Sequence, residues 1–417
     1  MGKFVINGGK KLNGEIRVGG SKNASLPIIC ASLLCKGQSI IKNVPDISDI
    51  HSLLKILEHL GCSVKFQKNT VTINPEKLKS ADINGELVCR MRASILLLGP
   101  MLARFKKVSM SYPGGCVLGK RPVDAHITAL KELGCKVVDD KQHIILVAAQ
   151  LNGADITMPE ISVTATENAI MAAAFAKGKT VIRLAACEPH VQDLCGFLNK
   201  CGAKIKGVGT HELHIEGVKS LKACTYSVTG DYLEAGTYAI AAALTGGDVK
   251  ITGIDPHDLD SFLQALKEAG VNFETNKSFI HIRPTKNIQA VAKIRTAVYP
   301  SFPTDLQAPF AVLLTQAKGE SKIYETLFEG RLNYLFELEK MGARFEIINP
   351  HQAIIKGPRK LKGVPISSWD IRAGAAMILA ALCADGKTEI NNIEFIDRGY
   401  ENIEDKLQSL GADIKRI

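Results

Sequence analysis

The sequence predicts an α/β protein built from six repeats, each with the order strand, helix, strand, helix, strand, strand and with its helices on the inside. Three observations support this prediction. A glycine after an amphipathic run recurs six times, roughly 70 residues apart, which is too long for a common solenoid unit. Each repeat also contains an almost wholly apolar helical run, typical of a buried helix. A short alternating run follows, typical of a strand with one face in solvent.

The six glycines predict helix C-caps, because glycine adopts a positive φ without steric cost. They are Gly61, Gly134, Gly202, Gly270, Gly342 and Gly411. The six apolar helices are predicted near residues 23–34, 93–103, 166–176, 234–244, 305–314 and 372–381. The repeats divide into two groups of three at a seam near Gly230, and the first strand, residues 3–6, fits either group.

Composition and charge narrow the class of protein. The 417 residues suffice for two or three domains. A net charge of +10 fits an acidic partner, either nucleic acid or a multiply charged small substrate. Aromatic residues make up only 6% and do not alternate with a basic stripe, so nucleic acid is the weaker interpretation.

The cysteines and the apolar runs indicate the compartment. Eleven scattered cysteines form no zinc-spaced set, which argues against a metal site. An odd count without a framework predicts reduced thiols in a cytosol-like compartment. The first residues lack the apolar core of a signal peptide. No apolar run approaches the ~18 residues that span a bilayer. A cytoplasmic protein without membrane insertion is therefore expected.

Positively charged side chains stand at several predicted helix starts, where they oppose the helix dipole. They are Lys22, Arg92, Arg121, Arg331, Arg372 and Arg398. Because free backbone N–H groups also point outward at a helix start, these cations favour a site that binds anions between them. Acidic residues at other starts, such as Glu234 and Asp305, need no ligand, since they complement the dipole.

The segment from Pro113 to Asp124 combines three glycines, a thiol and two cations. Cys116 lies in its middle, and Lys120 and Arg121 close it before a helix that Pro122 and Asp124 announce. Such a loop fits a reactive thiol near an anionic ligand, and equally a surface loop with an incidental cysteine. Elsewhere, His190 and His257 follow prolines at helix starts and are expected to be surface residues.

Several motifs, taken together and in order, identify the chain as a member of a known family. They are Gly19-Gly20-Ser21-Lys22-Asn23-Ala24, Met91-Arg92-Ala93-Ser94, Pro113-Gly114-Gly115-Cys116, Arg121-Pro122-Val123-Asp124, Phe302-Pro303-Thr304-Asp305 and Asp397-Arg398-Gly399-Tyr400-Glu401. The whole chain resembles the enolpyruvyl transferases that act on UDP-N-acetylglucosamine. The relatives that act on shikimate 3-phosphate share six repeats but not the cysteine loop.

The resemblance implies a fold and a reaction. The fold would be a two-domain inside-out α/β barrel with the active site in the cleft between domains. One domain would span residues 22–229 and the other residues 1–21 plus 230–417. The reaction would transfer enolpyruvyl from phosphoenolpyruvate to the 3′-hydroxyl of UDP-N-acetylglucosamine and release phosphate, the first committed step of peptidoglycan synthesis. No metal, organic cofactor or obligate protein partner would be needed.

The resemblance also assigns roles. Cys116 would be the general acid and Asp305 would accept the proton of the sugar hydroxyl. The cations that would hold the phosphate of phosphoenolpyruvate are Lys22, Arg121 and Arg398. Arg331 and Arg372 would hold its carboxylate or the closed loop. The contacts to the UDP-sugar would come from Asn23, Arg92, Arg121, Pro122, Val123, Asp124, Ala125, Ser162, Val163, Asp305 and Leu327.

Four positions depart from the family pattern: Glu160 replaces a lysine, Tyr232 an arginine, Tyr299 a histidine and His190 an acidic residue. None falls on the expected acid, base or phosphate clamp, so these departures bear on sugar-nucleotide affinity and on cleft closure. Two alternatives stay open. One is a paralogue acting on another UDP-sugar, and the other is a non-catalytic anion-binding member of the fold.

Overall fold

The computed structural model describes residues 2–79, 82, 83, 85, 88, 91–112, 114, 122–138, 140 and 142–417. These residues form six four-stranded sheets, one for each repeat. In every sheet one edge strand lies parallel to its neighbour, and the remaining pairs are antiparallel. The predicted α/β class with six repeats is confirmed. In the described part of the chain, hydrogen bonds do not join these sheets into one closed barrel.

The described residues divide into two compact units. The first, called the 20–229 unit, lies between those residue numbers. Its three sheets, in spatial order, contain the strands Thr225–Ser227, Ser39–Lys42, Thr70–Asn74, Ser63–Gln67; Asp82–Ile83, Lys107–Ser111, His143–Val147, Lys136–Val138; and Asp155–Thr157, Lys179–Arg183, Glu212–Glu216, Lys204–Lys206. A short pair joins Cys35–Lys36 to Leu221–Lys222. Its helices are Lys22–Ser32, Ser48–His59, Arg92–Leu97 (3₁₀), Leu98–Phe105, Asp124–Glu132, Val163–Ala173 and Pro189–Lys200.

The second unit, called the 230–417 unit, contains those residues together with residues 2–19. Its sheets contain the strands Phe273–Asn276, Phe279–Ile282, Asp248–Thr252, Asn13–Arg17; Lys293–Arg295, Gly319–Tyr324, Gln352–Gly357, Arg344–Asn349; and Pro365–Ser367, Lys387–Asn391, Phe4–Asn7, Asp413–Arg416. Its α-helices are Tyr232–Thr245, Asp260–Glu268, Gln307–Thr315, Leu335–Lys340, Ile371–Cys383 and Ile403–Ser409. Its 3₁₀ helices are Pro256–Leu259, Thr304–Leu306, Glu329–Leu332 and Ile393–Arg398.

The first helix of each repeat, here called the inner helix, is buried on all sides. Every residue of Gln307–Thr315 is buried, and in Lys22–Ser32 only Asn23 is not. A helix without a polar face cannot lie on a surface, since fully burying one Leu or Ile side chain contributes ~1.5–3 kcal/mol. The sheets cover these helices with one apolar face: in Thr70–Asn74, Val71 and Ile73 are fully buried between half-exposed neighbours. The inner helices therefore form the core, as predicted.

The N-terminal strand completes the last repeat. Phe4–Asn7 pairs with Lys387–Asn391 on one side and with Asp413–Arg416 on the other. Asn13–Arg17 then opens the fourth repeat by pairing with Asp248–Thr252. The chain passes from one unit to the other at residues 19–20 and returns at residues 229–230. The first strand, which the repeat pattern left open and the family resemblance placed with residues 230–417, thus belongs to the 230–417 unit.

The six predicted C-cap glycines all adopt a positive φ, between 72° and 106°. A different glycine permits close packing of two inner helices. A Cβ atom at Gly99 would lie 2.5 Å from the carbonyl oxygen of Asn168. Helix Leu98–Phe105 therefore approaches helix Val163–Ala173 more closely than a side chain would allow.

Candidate active site

In the 230–417 unit, Asp305 is held between two guanidinium groups. It lies in the 3₁₀ turn Thr304–Leu306, directly before an inner helix. Arg331 Nη2 donates to Asp305 Oδ1 at 2.8 Å, and Arg372 Nε donates to Oδ2 at 3.1 Å. These three residues come from two different repeats, and the sequence had singled out each of them only for its place at a helix start or for its match to a family motif.

The two arginines keep Asp305 ionised. Burial alone would disfavour the carboxylate, but the attraction of Arg331 and Arg372 outweighs it and holds the pKa of Asp305 well below its ordinary range. In this arrangement Asp305 is a weak base, because its lone pairs are already engaged. An anion that drew the guanidinium groups away would raise the pKa of Asp305 towards its ordinary range.

Both guanidinium groups are buried. Arg331 is 6% exposed and stacks on the Phe328 ring at 5.0 Å, and Arg372 is 4% exposed and lies over the Tyr400 ring at 5.3 Å. Arg372 Nη1 is a buried donor without a hydrogen-bond acceptor in the described structure. Buried donors are nearly always paired. The pair therefore has unused capacity for an anion, which is the chemistry expected for a carboxylate ligand.

Two residues that the sequence analysis did not single out, Thr304 and Glu325, support this group. Arg331 Nη1 donates to Thr304 Oγ1 at 2.7 Å, and that hydroxyl donates to Glu325 Oε2 at 2.8 Å. The other oxygen of Glu325 accepts the N–H of Leu327 at 3.0 Å, and the Leu327 side chain is 40% exposed. The Pro303-Thr304-Asp305 motif could have indicated Thr304, but no local pattern marks Glu325.

In the 20–229 unit, Lys22 begins the inner helix Lys22–Ser32, which Ser21 caps through the N–H of Ala24. The Lys22 ammonium lies 2.6 Å from the carboxylate of Asp49, and both side chains are only 9% exposed. No sequence pattern distinguishes Asp49 from any other acidic residue in a first helical turn. Asn23, beside Lys22, is half-buried.

Several of the residues expected to contact a UDP-sugar lie in this same unit, near two neighbouring helix starts. Arg92 Nη2 donates to the Pro122 carbonyl at 3.2 Å. Asp124 starts helix Asp124–Glu132, with Val123 before it and Ala125 after it both buried. Ser162 and Val163 begin the neighbouring helix Val163–Ala173 and are half-buried. A residue in the first turn of helix Asp124–Glu132 links these two helix starts.

That residue is His126, which the sequence analysis missed. Asn168 donates its Nδ2 to His126 Nδ1 at 3.1 Å, since its Oδ1 accepts the N–H of Gly99 at 2.6 Å. The other ring nitrogen, Nε2, lies 3.1 Å from Thr164 Oγ1. Burial and then the positive charge of Arg92 lower the pKa of His126 to about 3. The imidazole is therefore a neutral link between the two helices.

Two expected site residues lie outside the described part of the chain, and a third lies at the end of a helix instead of the predicted start. Cys116 and Arg121 lie outside the described residues. Arg398 was predicted at a helix start, but it is the last residue of the 3₁₀ helix Ile393–Arg398, and the next helix, Ile403–Ser409, begins five residues later. The reason is that Gly399 ends that short helix before the next can start. Arg398 itself is half-buried.

The structure shows how far the four residues that depart from the family pattern, and His257, are buried. His190, predicted at the surface, is only 5% exposed in the first turn of helix Pro189–Lys200, so that prediction is wrong, because the helix start faces the core. His257 is at the surface as predicted, with its side chain 83% exposed. Glu160 is exposed, Tyr232 is buried at the start of an inner helix, and Tyr299 is half-buried.

The described residues contain neither a candidate metal site nor a helix suited to crossing a membrane. No group of three or more His, Cys, Asp or Glu side chains in this part of the chain could hold a metal ion. None of its helices combines the length and the apolar character that crossing a membrane requires.

Known proteins resemble the chain over its whole length. The family described as EPSP synthase (3-phosphoshikimate 1-carboxyvinyltransferase) matches residues 6–407. A relative from Trichlorobacter lovleyi, named UDP-N-acetylglucosamine 1-carboxyvinyltransferase, is 44% identical over 100% of this chain and 99% of its own length. One of the same name from Chlorobium limicola is 45% identical, with coverages of 100% and 98%.

Solved structures share the fold at lower identity. The enolpyruvyl transferase NikO from Streptomyces tendae superposes with a TM-score of 0.90 at 24% identity, covering 100% of this chain and 98% of that one. An EPSP synthase from Acinetobacter baumannii gives a TM-score of 0.76 at 20% identity, with both chains covered completely. At these identities the likeness concerns the fold.

Proposed function

The chain belongs to the enolpyruvyl transferase family, among the UDP-N-acetylglucosamine 1-carboxyvinyltransferases, and from that premise we propose its reaction in detail. It transfers the enolpyruvyl group of phosphoenolpyruvate to the 3′-hydroxyl of UDP-N-acetylglucosamine and releases phosphate. The observation that carries the proposal is the ion cluster of Asp305 with the buried Arg331 and Arg372. It offers a carboxylate base and cations for a carboxylated substrate in one place.

The reaction proceeds by addition and elimination. Cys116 donates its proton to the methylene carbon of phosphoenolpyruvate, and the sugar 3′-oxygen bonds to the neighbouring carbon as Asp305 takes the hydroxyl proton. Loss of a proton from the new methyl group then expels phosphate and restores the double bond. An acid and a base on opposite sides of the double bond suit this sequence.

Arg331 and Arg372 control when Asp305 can act as a base. The carboxylate of phosphoenolpyruvate competes with Asp305 for Arg331 and Arg372, and the buried Nη1 of Arg372 supplies an additional donor. As the guanidinium groups shift to the substrate, the pKa of Asp305 rises towards its ordinary range, and Asp305 can accept the sugar proton. Binding of one substrate thus activates the residue that acts on the other.

The phosphate and the sugar nucleotide have their own residues. Lys22, Arg121 and Arg398 hold the phosphate of phosphoenolpyruvate, and the buried pair with Asp49 fixes the direction of the Lys22 ammonium. The residues proposed to contact UDP-N-acetylglucosamine are Asn23, Arg92, Arg121, Pro122, Val123, Asp124, Ala125, Ser162, Val163, Asp305 and Leu327. The proximity of Arg92 to Pro122 and the His126 link support a common surface for part of this set.

We place the reaction in the cytoplasm as part of the same proposal. The nine cysteines in the described part of the chain are not joined in disulfides, as a reducing compartment would require.

Phosphate release tests the proposal. We expect purified protein to release phosphate from phosphoenolpyruvate only when UDP-N-acetylglucosamine is present, and the nucleotide sugar to gain the mass of an enolpyruvyl group. Shikimate 3-phosphate and UDP-N-acetylgalactosamine serve as alternative acceptors. Release with either of these but not with UDP-N-acetylglucosamine would reassign the acceptor, and no release with any acceptor would leave an anion-binding protein.

A further inference from the structure

The buried carboxylate of Glu325 is connected to the ion cluster of Asp305, Arg331 and Arg372 through the Thr304 hydroxyl. Glu325 follows strand Gly319–Tyr324, at the end nearest the candidate site, and its side chain is fully buried. Burying a charged carboxylate is costly unless strong partners compensate for lost water. Each Glu325 oxygen has one donor: Oε2 accepts from the Thr304 hydroxyl and Oε1 from the N–H of Leu327.

The hydrogen bond from Thr304 to Glu325 fixes the direction of the Thr304 hydroxyl proton. A threonine hydroxyl has one proton and two lone pairs. Because the Thr304 proton points to Glu325, a lone pair of the same oxygen faces Arg331 Nη1 at 2.7 Å. Arg331 then offers its other terminal nitrogen to Asp305. The charges alternate along this row, from the carboxylate of Glu325 through the guanidinium group to the carboxylate of Asp305.

The hydrogen bond between Glu325 and the N–H of Leu327 holds the turn that follows Glu325. The N–H of Leu327 donates to Glu325 Oε1. The next residue, Phe328, carries the ring on which Arg331 stacks at 5.0 Å. The backbone of Glu325 is itself anchored, since its N–H donates to the His351 carbonyl and its carbonyl lies 2.7 Å from His351 Nδ1. A capped turn would need only one oxygen of Glu325. The other oxygen is used on Thr304, which points towards Arg331.

We propose that Glu325 is a positioning residue for the reaction: one oxygen sets the Thr304–Arg331–Asp305 row, and the other holds the turn that presents Leu327 to the sugar nucleotide. The inference rests on the proposed function, in which Asp305 is the base and Leu327 a sugar contact. If the charge of Glu325 is removed, Arg331 is attracted by Asp305 alone. Asp305 is then held more tightly and released less readily to accept a proton.

A double-mutant cycle between Glu325→Gln and Thr304→Val tests the row. Thr304→Val removes the hydroxyl that accepts from Arg331 and donates to Glu325. Glu325→Gln removes the charge and leaves one acceptor oxygen for two donors. We expect each variant to lower kcat about 10-fold. Because both act through the same hydroxyl, the double variant should also lose only about 10-fold, rather than the ~100-fold of independent sites. Thr304→Ser keeps the hydroxyl and should restore kcat to within about 3-fold of wild type.

A split between kcat and KM tests the turn. Only Glu325→Gln disturbs Leu327, so this variant should raise KM for UDP-N-acetylglucosamine about 10-fold, while Thr304→Val leaves that KM within about 2-fold. Glu404→Gln is the matched control, since Glu404 is another buried glutamate of this unit and pairs with Arg416, away from the row. It should retain the wild-type kcat and KM. Thr304→Val, which removes only a hydroxyl, serves alone if Glu325→Gln does not fold.

The outcomes separate the two proposals. If the wild-type protein releases no phosphate, the proposed function fails and this inference falls with it. If the wild type is active, multiplicative losses in the cycle, a wild-type kcat in Thr304→Val or no rescue by Thr304→Ser overturns the inference alone. Equal KM changes in both single variants would also overturn the role assigned to the turn.

Discussion

The neutral state of His126 gives the 20–229 unit a measurable sensitivity to acid. Protonation of the ring would place an N–H against the amide donor of Asn168 in a site that is only 2% exposed. With a pKa of about 3 in the folded protein and ~6.5 in the unfolded chain, the unfolded state binds the proton first. Stability is therefore complete above pH ~6.5 and is lost as the pH falls towards 3. At pH 5 the loss is about 2 kcal/mol.

The assay compares wild type with His126→Gln in urea at pH 7 and pH 5. We expect the variant to be less stable at pH 7, because it disturbs the bonds to Asn168 and Thr164. Between pH 7 and pH 5, however, it should lose about 2 kcal/mol less unfolding free energy than wild type. His257→Gln, at an exposed histidine, should keep the wild-type pH dependence. If His126→Gln and wild type show the same pH dependence, or the His126 ring titrates near 6.5 in an NMR experiment, the argument fails.

Three other predictions concern residues of the candidate site. Asp305→Ala should lower kcat by roughly 10²–10⁴ with a smaller change in KM for UDP-N-acetylglucosamine; equal losses in both would make it a binding residue. Asp49→Asn should lower the free energy of unfolding by about 3 kcal/mol in urea, since it removes the charge of a buried partner of Lys22. Its control, Asp260→Asn, breaks only an exposed pair and should cost under about 1 kcal/mol. Fosfomycin, an epoxide, should alkylate Cys116 and stop turnover, and Cys116→Asp should stay active in its presence; mass spectra with other cysteines labelled and Cys116 unmodified would contradict this.

The repeat architecture could be predicted from sequence because its signals are local. A glycine in the left-handed conformation ends a helix by backbone sterics alone, and all six predicted positions have a positive φ. A helix that is apolar on every side must be buried, and the six inner helices are. The family followed from motifs with characteristic residues, such as the one around Lys22.

The candidate site was predictable only in part. The sequence marked Asp305, Arg331 and Arg372, but placed them at three helix starts in two repeats and could not show that one carboxylate binds both guanidinium groups. Glu325 and His126 gave no signal at all. Each acts through partners distant in the chain, such as Thr304 for Glu325 and Asn168 for His126.

The sequence by itself therefore determined the elements, their order and the family, since propensity, capping and apolar periodicity act over a few residues. The tertiary structure alone decided which charges meet, which histidine is neutral and where the N-terminal strand pairs. Electrostatic energies depend on distance and burial, and both are set by contacts between repeats. The pairing of Phe4–Asn7 with strands near the other end of the chain shows the same dependence in the backbone.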